Sequence, residues 1–110
     1  MMKLKPTLKK MQLITTTPII DLGKVKTGTS VPFTFNVTNN GLEPIILSVR
    51  ASCGCTKPVL EKNVMGPLEY QTVKGTFKAS RNLGLIQNKT VTISTDKGEN
   101  LIIKLTGNVI

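Results

Sequence analysis

The chain has 110 residues, enough to bury one hydrophobic core without a disulfide or a metal as a staple. Aromatic residues make up 4% of the chain and tryptophan is absent, so we expect an aliphatic core. Because histidine is absent, neither a Ser-His nor a Cys-His couple can form, and the sequence predicts a protein that is not an enzyme and needs no cofactor. No stretch approaches the roughly 20 apolar residues of a membrane span, so no membrane contact is expected.

The first ten residues carry four of the chain's 15 basic residues, and the net charge of the whole chain is +9. Such a segment has too little apolar surface to fold alone, so we predict a basic arm at 1–12 and one domain at 13–110. The arm is either solvated or docked on a protein subunit of a larger assembly, where charge sets its orientation and apolar side chains supply burial. The candidate partner-binding residues are Lys3, Leu4, Lys5, Leu8, Lys9, Lys10 and Met11. Contact with nucleic acid is expected to be at most weak and non-specific, since Tyr70 alone could stack on a base.

Apolar and polar residues alternate along most of the remaining chain, which predicts short β-strands with one buried face. The first candidate strand lies at 13–20, where Pro18 suits an edge position. Further strands are expected around 31–37, 45–49, 57–60, 73–77, 90–94 and 101–105, and the side chains expected to face the core are Phe33, Phe35, Leu47, Val49, Phe77, Val91, Ile93, Ile103 and Leu105. Turn signals such as Asn39-Asn40-Gly41 separate these runs. About seven strands with this spacing predict an all-β, immunoglobulin-like antiparallel β-sandwich, with a small barrel as the alternative.

Both cysteines of the chain lie in the segment Ser52-Cys53-Gly54-Cys55-Thr56. In an extended strand, the Cα atoms of residues two apart are separated by about 6.6 Å, which is at the outer limit for a disulfide. The first expectation for Cys53 and Cys55 is therefore reduced structural thiols. The alternatives are a labile disulfide, made by a tighter backbone at Gly54, or a pair of ligands for a soft metal such as Cu(I). A structural zinc site is disfavoured because it needs four ligands.

The following motifs occur in this order: Asp21-Leu22-Gly23-Lys24-Val25, Gly28, Phe33-Thr34-Phe35, Asn39-Asn40-Gly41, Ile45–Val49, Ser52-Cys53-Gly54-Cys55-Thr56 and Leu105-Thr106-Gly107-Asn108-Val109. Over about residues 19–110 the chain thereby resembles a bacterial family of uncharacterised domains with a Cys-Gly-Cys-Thr signature, related to the hydin-type immunoglobulin-like domains. The resemblance implies an immunoglobulin-like β-sandwich that serves interaction or structure, without known catalysis. Members of that family usually follow a secretion or lipoprotein signal.

No apolar run of about 7–15 residues follows the N-terminal lysines, so no signal peptide is expected, and the expected location is a virion or the cytoplasm. Immunoglobulin-like domains commonly decorate the capsids of tailed bacterial viruses. The sequence therefore favours a non-enzymatic auxiliary (decoration) capsid or virion subunit, whose partners are the protein subunits of that assembly. One alternative is a cytosolic or cell-envelope interaction domain. Another is a module that binds a thiol or a soft metal through Cys53 and Cys55.

Overall fold

The alternating pattern folds into β-strands throughout residues 12–110, which are the residues that the computed structural model describes. The strands are β1 (Leu13–Ile14), β2 (Ile19–Val25), β3 (Ser30–Asn39), β4 (Ile45–Ala51), β5 (Thr56–Val59), β6 (Val64–Met65), β7 (Tyr70–Lys78), β8 (Gly84–Leu85), β9 (Lys89–Thr95) and β10 (Asn100–Val109). Seven of them have four residues or more, which is the number expected from the sequence, and the other three have two. The predicted strand at 13–20 is wrong in its bounds, because β1 ends at Ile14 and β2 begins only at Ile19 and continues to Val25. Within the same residues, no helix is long and apolar enough to cross a membrane.

The strands form two sheets that pack face to face. The first has the order β1-β3-β7-β5, and the second has the order β2-β10-β9-β4-β6, with β8 also paired to β10. Between β1 and β2 the chain passes from the first sheet to the second through a segment that contains Pro18, whose missing N–H suits such a crossing. The predicted all-β sandwich is confirmed. The sequence predicts antiparallel strands, but one pair of neighbouring strands is parallel: β2 runs in the same direction as β10.

The core lies between the two sheets and is mainly aliphatic, although it also holds the three phenylalanines Phe33, Phe35 and Phe77. Of the nine side chains predicted to face inward, eight are buried, and Val49 is half-buried against the same core. The rings of Phe33 and Phe35 stack with their centroids 6.5 Å apart. Gly75 lies opposite Phe33 in the register of β3 and β7. A Cβ atom at Gly75 would come within 2.5 Å of the Phe33 ring, which explains why glycine interrupts the apolar face of β7.

The two ends of the sandwich have different loops. We call one the arm end: it consists of Gln12, the connections 40–44, 61–69 and 96–99 and the strand residues that flank them. These parts meet through bonds such as Asn40 N–H to Gln12 O (2.7 Å) and Asn39 N–H to Glu69 O (2.8 Å). We call the other the cysteine end: it consists of the connections 26–29, 52–55 and 79–88, the C-terminal residues 109–110 and the strand residues that flank them. There, Gly28 N–H donates to Ala79 O (3.1 Å), which ties two of these connections together.

Candidate functional site

The segment that holds the two cysteines crosses between the sheets at the cysteine end. It follows β4 of the second sheet and leads into β5 of the first. Ser52 N–H donates to Thr90 O (2.9 Å) on the second sheet, and Lys78 N–H donates to Cys55 O (2.8 Å) on the first. The hydroxyl of Ser52 also accepts from Thr90 N–H (2.9 Å). Backbone hydrogen bonds to both sheets therefore fix the position of this segment.

Cys53 and Cys55 are joined in a disulfide, with their Cα atoms 5.3 Å apart. The first expectation, reduced thiols in an extended strand, is therefore not what the structure contains. The physical reason is local: residues 53–56 form a turn, closed by Thr56 N–H donating to Cys53 O (3.3 Å), and a turn brings alternate Cα atoms closer than a strand does. The Thr56 hydroxyl lies 3.8 Å from each sulfur atom.

This disulfide is expected to stabilise the sandwich less than a cross-link that closes a long loop. Its ends are two residues apart, so it links neither two strands nor the two sheets. The chain-entropy model gives about 1.6 kcal/mol for a closed loop of three residues, against about 3 kcal/mol for a loop of 15. A cross-link between residues two apart cannot hold the two sheets together in place of a hydrophobic core. Its position suggests a role other than stabilising the fold.

A cavity of about 660 Å³ opens beside the cysteine segment. Its lining includes one sulfur-bearing residue, several apolar side chains and three cations: Cys55, Phe77, Leu83, Leu85, Ile86, Lys78, Arg81 and Lys89. Leu83 and Leu85 are each 72% exposed. No carboxylate lines this cavity among the described residues. The space thus combines apolar surface with uncompensated positive charge.

Acidic and basic side chains concentrate at opposite ends of the domain. Five of the six carboxylates of the chain, all but Asp21, lie at the arm end: Glu43, Glu61, Glu69, Asp96 and Glu99. The two lysines of that end are both paired, Lys62 with Glu69 (3.5 Å) and Lys97 with Glu43 (3.0 Å). The cations of the cysteine end include Lys24, Lys26, Lys57, Lys78, Arg81 and Lys89. Across residues 12–110 none of them has a carboxylate within ion-pair distance, so the cysteine end carries unpaired positive charge.

Three of the five carboxylates of the arm end, those of Glu69, Asp96 and Glu99, also accept backbone hydrogen bonds. Glu99 accepts from Gln12 N–H (2.9 Å) and from Leu13 N–H (3.1 Å), which positions the start of β1. Glu69 accepts from Gly66 N–H (2.6 Å). That bond, together with the nearby Lys62 ammonium, holds the pKa of Glu69 below its ordinary value. The carboxylates of Glu69 and Glu99 are therefore engaged in hydrogen bonds and an ion pair within the domain.

Residues 13–109 match a protein family described as "Protein of unknown function (DUF1573)". The chain belongs to this family. No curated protein matches the chain. Among solved structures, the ASH / PapD-like domain of human CEP192 (PapD-like domain 7) is similar with a TM-score of 0.66 and 16% identity, over 96% of this chain and 92% of that one.

A Bacteroides ovatus GH5 xyloglucanase in complex with a XXXG heptasaccharide is also similar, with a TM-score of 0.53 and 16% identity, over 89% of this chain and 19% of the enzyme. At these identities, both likenesses concern the fold alone, and they agree with the immunoglobulin-like sandwich described above. Since only a fifth of the xyloglucanase is matched, nothing about its activity carries over.

The site residues predicted from sequence fall into two groups. The seven arm residues, from Lys3 to Met11, lie outside the described residues, so the docking arm stays a prediction. Cys53 and Cys55 are in contact, and within the described part of the chain no group of three or more potential ligands could hold a metal with them. Sequence reasoning missed the cations and leucines of 78–89, because the connection that carries them has no periodic pattern.

Proposed function

We propose that this domain is a non-enzymatic protein-interaction module that binds its partner at the cysteine end. The observation that carries the proposal is the cavity beside Cys55, which is lined by exposed leucines and by cations without carboxylate partners. The fold supports the general class, because PapD-like and other immunoglobulin-like domains typically bind other proteins and are typically not enzymes. The particular surface is argued from this chain's own residues.

The chemistry of the cavity defines the partner. Burying Leu83 and Leu85, which are mostly exposed in the free domain, favours binding by about 1.5–3 kcal/mol for each side chain that becomes fully covered. Arg81 and Lys89 on the same lining favour carboxylates, and Arg81 can bind one through two parallel hydrogen bonds. The volume of about 660 Å³ is that of a ligand site for a few side chains. The expected partner presents an acidic segment with apolar residues between its carboxylates.

The edges of the sheets are poorer candidates for binding a partner by strand addition. β5, at one edge of the first sheet, carries Lys57 and Pro58, which disfavour the pairing of another strand. β1 and β6, at two further edges, have two residues each. β2, at the remaining edge, has an irregular register against β10 around Gly23, whose φ is 71°. These features favour a side-chain site at the end of the sandwich.

Two finer interpretations stay predictions. One is that the partner is a viral capsid and that the chain is an auxiliary subunit of it, with a cytosolic or cell-envelope interaction domain as the alternative. The other is the kinship with hydin-type domains, implied by the Cys-Gly-Cys-Thr element. Neither the family match nor the likeness in fold supports or contradicts these two interpretations. Both are compatible with a binding surface at the cysteine end.

The test is a pair of single charge reversals. Arg81→Glu changes a cation on the lining of the cavity, and Lys74→Glu changes an exposed cation on the outer face of β7, away from it. The probe is a fluorescent peptide in which glutamates alternate with leucines. We expect Arg81→Glu to weaken its binding by about two- to thirtyfold, as for the reversal of one exposed ion pair, and Lys74→Glu to change it less than twofold. Equal effects of the two variants would reject the cysteine end as the binding surface.

A further inference from the structure

The disulfide can open without disturbing the bonds that hold its turn. Ser52 N–H to Thr90 O, Lys78 N–H to Cys55 O and Thr56 N–H to Cys53 O are all backbone hydrogen bonds, and none involves a sulfur atom. The segment is tied to both sheets by these bonds rather than by the cross-link. We therefore expect the domain to stay folded whether the two cysteines are oxidised or reduced.

The two sulfur-bearing residues are placed differently. Cys55 lines the cavity and packs against the core, whereas Cys53 is not part of that lining. Both are only half-buried. A segment bound in the cavity thus lies beside Cys55, and Cys53, outside the lining, is the residue whose sulfur would leave.

The charge around the cavity suits thiolate chemistry. Lys78, Arg81 and Lys89 line it together with Cys55, and no carboxylate is part of the described lining. Positive charge stabilises a thiolate beside it, and the thiolate is the species that attacks and leaves in disulfide exchange. The chain has two cysteines in all, so the exchanging thiol must come from another molecule.

We propose that Cys53 and Cys55 form a thiol–disulfide exchange site whose substrate is an acidic segment with two cysteines in a partner protein. The inference rests on the proposed function, because the segment is the one that the cavity binds. It adds a stoichiometric exchange to that binding, without catalytic turnover: the domain oxidises one dithiol partner, or in the reverse direction reduces one disulfide partner.

The exchange takes place in two steps. A thiolate of the partner attacks Cys55 Sγ, so that a partner–Cys55 bond forms while the Cys53–Cys55 bond breaks, and the electron pair leaves on Cys53 Sγ, which takes up a proton. A second thiolate of the partner then attacks the first partner sulfur and releases Cys55 Sγ, which takes up the other proton. The partner loses two protons and two electrons and gains a disulfide. This chain gains the two protons and two electrons and loses its disulfide.

The first experiment follows the loss of the disulfide in the full chain by alkylation of thiols and mass spectrometry. The probes are three reductants: a Cys-Gly-Cys peptide flanked by glutamates, the same peptide flanked by lysines, and dithiothreitol. We expect the acidic peptide to react about tenfold faster than the basic one, and this ratio to fall towards one in 1 M salt, where the Debye length is about 3 Å. Dithiothreitol should reduce the protein with no change in its far-UV circular dichroism spectrum. Equal rates for the two peptides, or reduction that occurs only with unfolding, would overturn the inference.

The second experiment traps the intermediate. Cys53→Ser leaves the thiol of Cys55, which should capture the oxidised acidic peptide as a stable mixed disulfide, and Cys55→Ser should capture it more slowly. Faster capture by Cys55→Ser would contradict the assignment of Cys55 as the attacked sulfur. A cysteine-free acidic peptide separates the two proposals. If it binds while its cysteine counterpart does not exchange, the exchange site is rejected and the interaction module stands; if it does not bind, the proposed function and the substrate class both fail.

Discussion

The two ends of this sandwich use their polar side chains differently. At the arm end, Glu99 accepts from two backbone N–H groups, Glu69 accepts from a third, and Glu43 pairs with Lys97. At the cysteine end, Arg81 and its neighbouring cations have no carboxylate partner among the described residues. Both ends expose apolar side chains, such as Leu42 at the arm end (86% exposed) and Leu83 at the cysteine end (72% exposed). They differ in charge: most charged side chains of the arm end have a partner within the domain, whereas the cations of the cysteine end have no carboxylate partner in the part of the chain that the structure describes. This difference is the reason why we propose the cysteine end as the binding surface.

The largest expected effect concerns the fully buried Asn39 at the arm end. Its Nδ2 lies within 3.1 Å of three carbonyl oxygens, of Glu43, Met65 and Gly66, and its Oδ1 accepts from Gly41 N–H. Asn39→Ala removes all of these bonds from a buried site and leaves Gly41 N–H without its acceptor, although Glu43 O and Gly66 O keep Gln12 Nε2 and Glu69 N–H as donors. We therefore expect the free energy of unfolding to fall by about 2–4 kcal/mol, as for the loss of about three hydrogen bonds.

The matched control for Asn39→Ala is Ser52→Ala at the cysteine end. The Ser52 hydroxyl also bridges backbone groups but is exposed, so its loss should cost about 0.5–1.5 kcal/mol. Urea unfolding of both variants measures the difference. If Ser52→Ala cost as much as Asn39→Ala, the two ends would be equally important to the fold, and the comparison would fail.

The next effect in size belongs to the disulfide. The double variant Cys53→Ser, Cys55→Ser should fold and lose at most about 1.6 kcal/mol, since the bond closes a loop of only three residues. Urea unfolding and the far-UV spectrum check this. A variant that does not fold would mean that the disulfide is a structural staple of the cysteine end.

The strands and the core could be predicted from the sequence because their signal is local. Residues such as Phe33 and Phe35 alternate with polar ones, and a period of two places them on one face whatever the topology is. The disulfide was not predicted as the first choice, because the distance between Cys53 and Cys55 depends on a turn whose shape is set by hydrogen bonds to Thr90 and Lys78. The parallel pairing of β2 with β10 depends likewise on contacts distant in sequence.

The separation of charge, by contrast, was visible in the sequence. Taken in order, the charged residues at or near successive connections are Lys24 and Lys26, then Glu43, then Lys57, then Glu61 and Glu69, then Arg81 and Lys89, and then Asp96 and Glu99. The sign of the charge alternates from one connection to the next. The exceptions are Lys62 and Lys97 at the acidic end, which are both ion-paired. Successive connections of a meandering antiparallel chain lie at opposite ends, so the alternation predicts one basic and one acidic end. Counting the net charge of the whole domain conceals this pattern.

A smaller effect should follow from Glu99→Gln. The carboxylate of Glu99 accepts from Gln12 and Leu13 N–H, and the neutral amide of glutamine keeps an acceptor oxygen while losing the charge that strengthens these bonds. We expect a loss of about 1 kcal/mol in the free energy of unfolding, together with faster amide hydrogen exchange at Gln12 and Leu13. Unchanged exchange there would show that the start of β1 is held by other contacts.

The smallest expected effect is the pH dependence of the arm end. Gly66 N–H and the Lys62 ammonium hold the pKa of Glu69 below its ordinary value near 4.5, so the folded state binds this proton more weakly than the unfolded state does. The stability that Glu69 contributes is therefore present above that ordinary value and is lost as the pH falls through the lower pKa of the folded state. Glu69→Gln should be less stable than the parent chain at neutral pH, and the two should converge in acid when unfolding by urea is compared across the pH range. If the difference in stability between Glu69→Gln and the parent chain did not narrow in acid, the Glu69 side chain would act through packing rather than through its charge.

The pair of Lys97 with Glu43 shows a pH dependence of the opposite sign. The nearby Glu43 carboxylate raises the pKa of Lys97 above its ordinary value near 10.5. The stability that this pair contributes is therefore present below that value and is lost only as the pH rises through the higher pKa of the folded state.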